Sequence, residues 1–165
     1  MKHRETLTLS TASDREIVMT RAFDAPAHLV FDALTKPELI KRWLLGPPGW
    51  SMPVCEVDLK IGGHYRYVWR HDKDGRDMGM GGAFREIVAP KRLVQTEKFD
   101  QPWYPGEALS TAVLVERKRK TTLTTTVLYE SQAARDSILK SGMEQGVAAS
   151  YDRLEELLAE TSRIV

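Results

Sequence analysis

The chain has 165 residues, 42% of them apolar, a size at which one core is well buried and two would each be starved of apolar surface. With 24 Lys and Arg against 23 Asp and Glu the formal net charge is +1, so no global field draws the chain to nucleic acid or anionic lipid and partners must be recognised locally. The lone Cys55 excludes an intramolecular disulfide, and the polar stretch from Met1 to Ser10 lacks the apolar run of a signal peptide or membrane span, so the expectation is a single domain, residues 1–165, in the cytoplasm.

In chain order, the alternation at Thr6 to Ser10 and the β-branched and aromatic run Ile17 to Phe23 read as one interrupted strand or two short ones, with the break at Asp14. Pro26 suits the first turn of a helix over Ala27 to Leu34, and a second short helix from Pro37 carries Leu39, Ile40 and Trp43 on one stripe. The stiff loop Gly46 to Gly49 then ends helix and begins sheet. Strands are expected near Met52–Leu59, His64–Arg70, Met80–Val88, Leu93–Phe99, Leu109–Arg117 and Thr121–Tyr129, separated by turn signals too short for parallel crossovers. Ser131 is a candidate N-cap for a helix over Gln132 to Lys140, and after Ser141-Gly142 a longer helix runs from Met143 to Glu160. Met143, Val147, Tyr151, Leu154 and Leu158 form its apolar face, Asp152, Arg153, Glu155 and Glu156 the opposite one, and Gly146 with Ala148 to Ser150 add a patch of small side chains. A meander of about half a dozen strands followed by one long helix reads as α+β, with the curved antiparallel sheet wrapped around the C-terminal helix, the two short helices closing one end, and any unfilled interior becoming a pocket.

These segments resemble the heat-shock-protein ATPase activator homologue family of the START-like (SRPBCC, helix-grip) superfamily. The resemblance is carried by FDAPAHLVFDALT at Phe23 to Thr35, GGHYRYVWR at Gly62 to Arg70 and FREIVAPKRLVQTEKFD at Phe84 to Asp100, and by the ending from TLTTTVLYES through ARDSILKSGMEQGVAASYDRLEELL. It implies the helix-grip fold and a cavity between sheet and long helix, in a family whose members range from lipid carriers to polyketide cyclases. The eukaryotic co-chaperones with this domain carry a separate N-terminal domain that engages the chaperone; the 165 residues contain none, which argues against a chaperone partner. Relatives commonly place glycine in the turn between the last two strands, where this chain has Arg117 to Lys120, so a wider loop is expected there.

Period two puts Tyr65, Tyr67 and Trp69 on one face of their strand and His64, Arg66, Val68 and Arg70 on the other, without saying which looks inward. An aromatic core face and a cavity wall share this pattern, and only a hollow fold favours the second. On that basis the candidate ligand-binding residues are Trp43, Tyr65, Tyr67, Trp69, Met80, Phe84, Phe99, Trp103, Tyr104, Met143, Val147 and Tyr151. Trp43, Trp50 and Trp103 lie in or beside Pro- and Gly-containing loops and either plug the ends of the domain or gate an opening.

Catalytic patterns are weak. His3, His28, His64 and His71 lack metal-ligand spacing, Cys55 has no basic cluster to activate it, and no nucleophile elbow, phosphate loop or cofactor motif is present, so neither metal nor cofactor is expected. Among Glu56, Asp58, Glu86 and Glu97, an inward carboxylate such as Glu97, paired with Tyr67 or Arg66, would be the place to look for general acid–base chemistry on an enolisable or cyclising substrate. The leading expectation is a binding protein for a small hydrophobic or aromatic molecule; the alternatives are a cyclase, dehydratase or hydrolase using the same cavity, and a chaperone-interacting module. The edge Ile17 to Phe23 leaves a homodimer open, unless its own N-terminal segment covers it.

Overall fold

The computed structural model describes residues 6–101 and 104–164. The strands are β1 (Thr8–Ser13), β2 (Glu16–Phe23), β3 (Trp50–Val57), β4 (His64–His71), β5 (Asp77–Val88), β6 (Arg92–Phe99), β7 (Ala108–Arg117) and β8 (Lys120–Leu128), and the helices are α1 (Ala27–Thr35), α2 (Pro37–Trp43), α3 (Gln132–Lys140) and α4 (Met143–Ile164). The strands form one antiparallel sheet in the order β1-β2-β8-β7-β6-β5-β4-β3. Short links make β3 to β8 a meander, and β2 closes it by pairing with β8 over eight consecutive positions, from Glu16 opposite Leu128 to Phe23 opposite Thr121. The architecture is therefore the α+β helix-grip fold, with α1 and α2 carrying the chain from β2 to β3 on the far edge. β1 pairs with β2 from Ser13 opposite Glu16 to Thr8 opposite Thr20, so the chain's own N-terminal segment covers that part of the edge Ile17 to Phe23 would present.

Strand alternation decides which residues look at α4. Ile17, Met19, Arg21 and Phe23 of β2, Tyr65, Tyr67 and Trp69 of β4, Ala108, Ser110, Ala112 and Leu114 of β7, and Leu123 and Val127 of β8 are buried on the concave side. α4 grips this face with Leu154, Leu157 and Leu158, all nearly inaccessible, while Phe23 meets Tyr151 edge-on with centroids 5.5 Å apart. Burial of leucines of this kind stabilises by roughly 1.5–3 kcal/mol each, enough to hold a helix whose other face is in water.

Two corrections arise at the polar positions. Asp152 and Glu155, placed by spacing on the solvated face, both engage Arg21, whose side chain is buried on the inner face of β2: Arg21 Nη1 donates to Asp152 Oδ1 at 2.9 Å and Nη2 lies 3.5 Å from Glu155 Oε1. The expected wide loop between β7 and β8 is a two-residue turn in which Arg117 pairs with Lys120, while Lys118 (φ 53°) and Arg119 (φ 63°) adopt the left-handed conformation without glycine. The twist of the flanking strands selects this turn, and its backbone geometry prevails over residue preference.

The same hairpin anchors α1. Glu116 Oε1 accepts from the Ala27 N–H at 2.7 Å, supplying the cap that Pro26 cannot, and Thr121 donates its hydroxyl to the Ala25 carbonyl at 2.7 Å. Ser131 caps α3 as expected, its hydroxyl accepting from Ala134 N–H at 3.0 Å. Replacing Lys118 with Asn and Arg119 with Gly should raise the unfolding free energy by about 1 kcal/mol in urea titration, because both residues then adopt positive φ with less strain; an unchanged midpoint would contradict this account of the turn.

Candidate functional site

The buried side chains fall into two clusters. One, under the C-terminal half of α4, includes Phe23, Trp43, Tyr65, Tyr67, Trp69, Leu93, Leu123 and Tyr151; the other, under α3, includes Ile17, Met19, Tyr104, Val127, Tyr129 and Ile138. Phe99 and Val147 touch both. Between the clusters lies a cavity of about 1020 Å³, bordered by side chains from each. The N-terminal half of α4 lies over it with Met143, Val147 and Tyr151, where the helix is too sparsely furnished to fill the space beneath.

The loop after α2 closes one side. The Gly46 N–H donates to Ser150 Oγ at 2.8 Å, and at Gly146 an added Cβ would already stand 3.4 Å from Pro47 Cδ, so the small-residue patch on α4 serves close approach of this loop. Two indoles are pinned beside it: Trp43 Nε1 donates to the Ala33 carbonyl at 2.8 Å and Trp69 Nε1 to the Leu44 carbonyl at 2.7 Å. Trp50, at the rim, is held by His71 at 4.9 Å between centroids and by the Arg76 guanidinium at 5.6 Å.

Arg66, Val68 and Arg70 also border the cavity, yet they project from the face of β4 opposite Tyr67 and Trp69, so the total volume includes a groove on the convex side and the inner chamber is smaller. Gly79 marks that groove. With no side chain there, Arg66 and Asp100 form a two-pronged ion pair across the strand, at 3.0 and 2.6 Å; an added Cβ at Gly79 would come within 2.3 Å of Asp100 Oδ2. Arg66 thus belongs to Asp100 on the outer face and does not pair with Glu97, one of the two partnerships the sequence suggested.

Glu97 faces the chamber, together with Leu93, Gln95 and Phe99 of β6. In the β5–β6 ladder beside it no pair forms at Gly82 and Ala83, and the register shifts just beyond, between Phe84–Gln95 and Glu86–Val94. There Ala83 N–H donates to Thr96 Oγ1 at 2.9 Å, the Thr96 carbonyl accepts the Tyr65 hydroxyl at 2.5 Å, and a Cβ at Gly82 would stand 1.9 Å from that carbonyl. Side chains replace the ladder bonds, and a side chain at position 82 has no room against the Thr96 carbonyl, so glycine is required there.

Glu97 is half-buried by surface area, and what remains accessible opens into the chamber. Burial alone drives its carboxyl from the ordinary 4.5 up to about 7, without an opposing cation or donor among the described residues. Its charge, in turn, adds to burial in pushing the hydroxyls of Tyr65, Tyr67, Tyr104 and Tyr129 upward, so all four stay protonated near neutral pH. Gln95 also acts on the Tyr67 hydroxyl. Cys55, half-buried on β3, has its thiol pushed up to about 11, chiefly by burial, and is not activated.

Of the residues proposed from sequence, Trp43, Tyr67, Trp69, Met80, Phe99, Met143, Val147 and Tyr151 border the cavity. Tyr65 and Phe84 stand behind Tyr67, with Tyr65 5.0 Å from Tyr67 and 5.5 Å from Phe84 between centroids, and Tyr104 packs edge-on against Tyr129 at 5.2 Å; none of the three reaches the wall. Trp103 lies outside the described residues. Gln95, Tyr129 and the Leu44–Pro47 loop were missed as wall, although alternation from Leu93 to Phe99 would have found Gln95. Among the described residues no group of three His, Cys, Asp or Glu side chains could hold a metal ion, and no helix is long and apolar enough to cross a membrane.

The sequence model of the family described as "Activator of Hsp90 ATPase homolog 1-like protein" matches residues 24–159. A protein of known crystal structure from Rhodobacter sphaeroides is 30% identical, with 93% of this chain and 98% of that one covered and a TM-score of 0.87. Another from Nitrosomonas europaea is 28% identical over 92% and 99% of the two chains, with a TM-score of 0.79. A solution structure from Staphylococcus epidermidis is 26% identical over 93% and 94%, also at 0.79. No curated protein matches the chain at a significant level.

The Glu97 carboxyl has a definite consequence for stability. Its folded-state value, about 7, lies above the ordinary 4.5, so between these values the folded chain keeps a proton that the unfolded chain releases, and stability falls as pH rises through that window. The unfolding temperature of the native protein should fall from pH 5 to pH 8, whereas Glu97→Gln should lack this component and be the more stable at pH 8 by about 2 kcal/mol, a figure reduced from the full shift because the carboxyl opens into the chamber. Parallel pH profiles for the two proteins would contradict the placement of Glu97.

Proposed function

This chain belongs to the Activator of Hsp90 ATPase homolog 1-like family, and from that premise we propose that it is a binding protein for a small hydrophobic or aromatic molecule held between the sheet and α4. The observation that carries this reading is the cavity itself, flanked by two packed clusters and walled by Tyr67, Trp69, Met80 and Tyr151. Largely apolar space of this kind forfeits packing contacts, so a ligand that fills it gains both dispersion and the removal of its own apolar surface from water. Aromatic rings and a flexible thioether supply a wall that suits planar or irregular apolar ligands.

A second reading, an enzyme of cyclase, dehydratase or hydrolase type, is favoured by one specific observation: a carboxyl on the chamber wall whose proton affinity is set near neutrality. Glu97 would take a proton from an acidic carbon or hydroxyl of the bound molecule, while the protonated Tyr67 or Tyr129 hydroxyl donates to the oxygen on which charge collects. A chaperone-directed role rests on the family's description alone, and so ranks behind both.

Native mass spectrometry of protein isolated gently from its own host should show a stoichiometric small-molecule adduct that is released on denaturation and is predominantly apolar. Recovery of an apolar ligand that is then chemically altered on incubation would favour the enzyme, and stable recovery the binding protein. A protein that emerges without adduct, and that also fails to bind a panel of small aromatic molecules, would overturn the binding reading.

A further inference from the structure

Resting on the reading of the cavity as a ligand site, we propose that the ligand is an apolar or aromatic molecule bearing one basic nitrogen, and that this nitrogen seats against Glu97. Three observations support this class. Glu97 stands on the wall of a chamber whose other inward-facing side chains are uncharged, mostly aromatic, Met and aliphatic with Gln95, Ser110 and Thr125 as polar positions, so among the described residues it is the feature able to discriminate among apolar ligands by charge. The arginines bordering the cavity are engaged elsewhere, Arg66 by Asp100 on the outer face, Arg70 by Asp77 at 2.8 Å and Arg76 over the Trp50 ring at 5.6 Å, and the buried Arg21 is engaged by Asp152 beneath α4. Finally, the rings of Tyr67, Trp69, Tyr129 and Tyr151 border the same chamber, and aromatic faces attract a cation that has been stripped of water.

Charge decides between a basic nitrogen and a neutral donor. A neutral hydroxyl hydrogen-bonds the carboxyl in either protonation state and leaves its ionised form without a counter-charge in apolar surroundings. A protonated amine supplies the missing charge, converts the desolvated carboxyl into an ion pair with a charge-assisted hydrogen bond, and displaces chamber water. An anionic ligand is opposed by Glu97 directly, so the site should select against carboxylates such as fatty acids. The Glu97 carboxyl, pushed up to about 7 when the chamber is empty, is expected to fall when the amine binds, so binding releases a proton near neutral pH.

Three probes of one shape test this: 1-naphthylmethylamine, 1-naphthalenemethanol and 1-naphthoate, titrated calorimetrically against the intact chain. At pH 7.5 the amine should bind more than about tenfold tighter than the alcohol, as expected for a hydrogen bond to a charged group, and the naphthoate most weakly. Binding of the amine should release protons, detected in buffers of different ionisation enthalpy, and should weaken by about tenfold at pH 5.5, where Glu97 is protonated in the empty site, while the alcohol's affinity stays level. Glu97→Gln should remove the amine's advantage and its pH dependence and leave the alcohol's affinity within about twofold. The pH series on the unaltered chain decides the matter even if that variant misfolds. If the alcohol binds and the amine gains nothing, or if the amine's advantage persists in Glu97→Gln, the assignment of a basic nitrogen is overturned while the cavity reading stands. If none of the three binds, both fall.

Discussion

The placement of α4 in the concave face of the sheet is the constraint on which the rest of this structure depends. Its C-terminal half presents Leu154, Leu157 and Leu158 and packs solidly against the strands. Its N-terminal half turns Met143, Gly146, Val147 and Ser150 toward the sheet, a row in which glycine, valine and serine are too small to fill the space beneath. A helix is straight on the scale of a domain, whereas the sheet curves, so small side chains along half of the helix leave a gap that other residues must fill or leave open. Arg21 fixes the helix against β2 through Asp152, and Ser150 fixes the loop after α2 against the helix. The helix therefore cannot settle deeper into the sheet, and the two hydrophobic clusters stay apart.

Into that gap the sheet places a carboxyl, Glu97, without an opposing cation or hydrogen-bond donor among the described residues. A carboxyl in apolar surroundings costs free energy whichever protonation state it adopts, and no cation among the described residues offsets it at that position. The interrupted ladder at Gly82 and Thr96 shows the sheet departing from its regular pattern at the same place. Local departures from the rules of good packing collect at sites that do something, because the remaining structure is stable enough to carry them. Here the stabilising elements are the β2–β8 closure and the leucine grip of α4, both remote from Glu97.

Much of this was legible in the sequence, and the reasons differ from residue to residue. The strands between the Gly62-Gly63 and Ala89-Pro90 turns, the capping role of Ser131 and the apolar stripe of α4 follow from local chemistry, so period and turn signals located them. That the cavity opens between two clusters was not legible from pattern, since Tyr65, Tyr67 and Trp69 share one face of β4 yet only two of them reach the wall; depth along a curved sheet is set by which strands bend, not by alternation. Arg21 was overlooked because a charged residue in an otherwise apolar run reads as an outward position, and only the tertiary partner Asp152 makes an inward one tolerable. The tight Lys118–Arg119 turn escaped for a related reason: strand twist imposed a backbone that residue preference argued against. Glu97 was legible as a candidate, and its pairing with Arg66 was not, because Gly79 and Asp100 draw that arginine to the outer face.

The central claim is that the space beneath the N-terminal half of α4 is a genuine opening in the core, available to a ligand. Val147 touches both clusters and borders the cavity, so thermal unfolding of Val147→Phe is the most direct test. If the chamber is open, the larger ring fills it and the variant unfolds at the same or a higher temperature while losing affinity for small aromatic molecules. If the interior is closed in solution, the added ring has nowhere to go, and overpacking should lower stability by about 1–3 kcal/mol, a result that contradicts the cavity and every functional reading built on it.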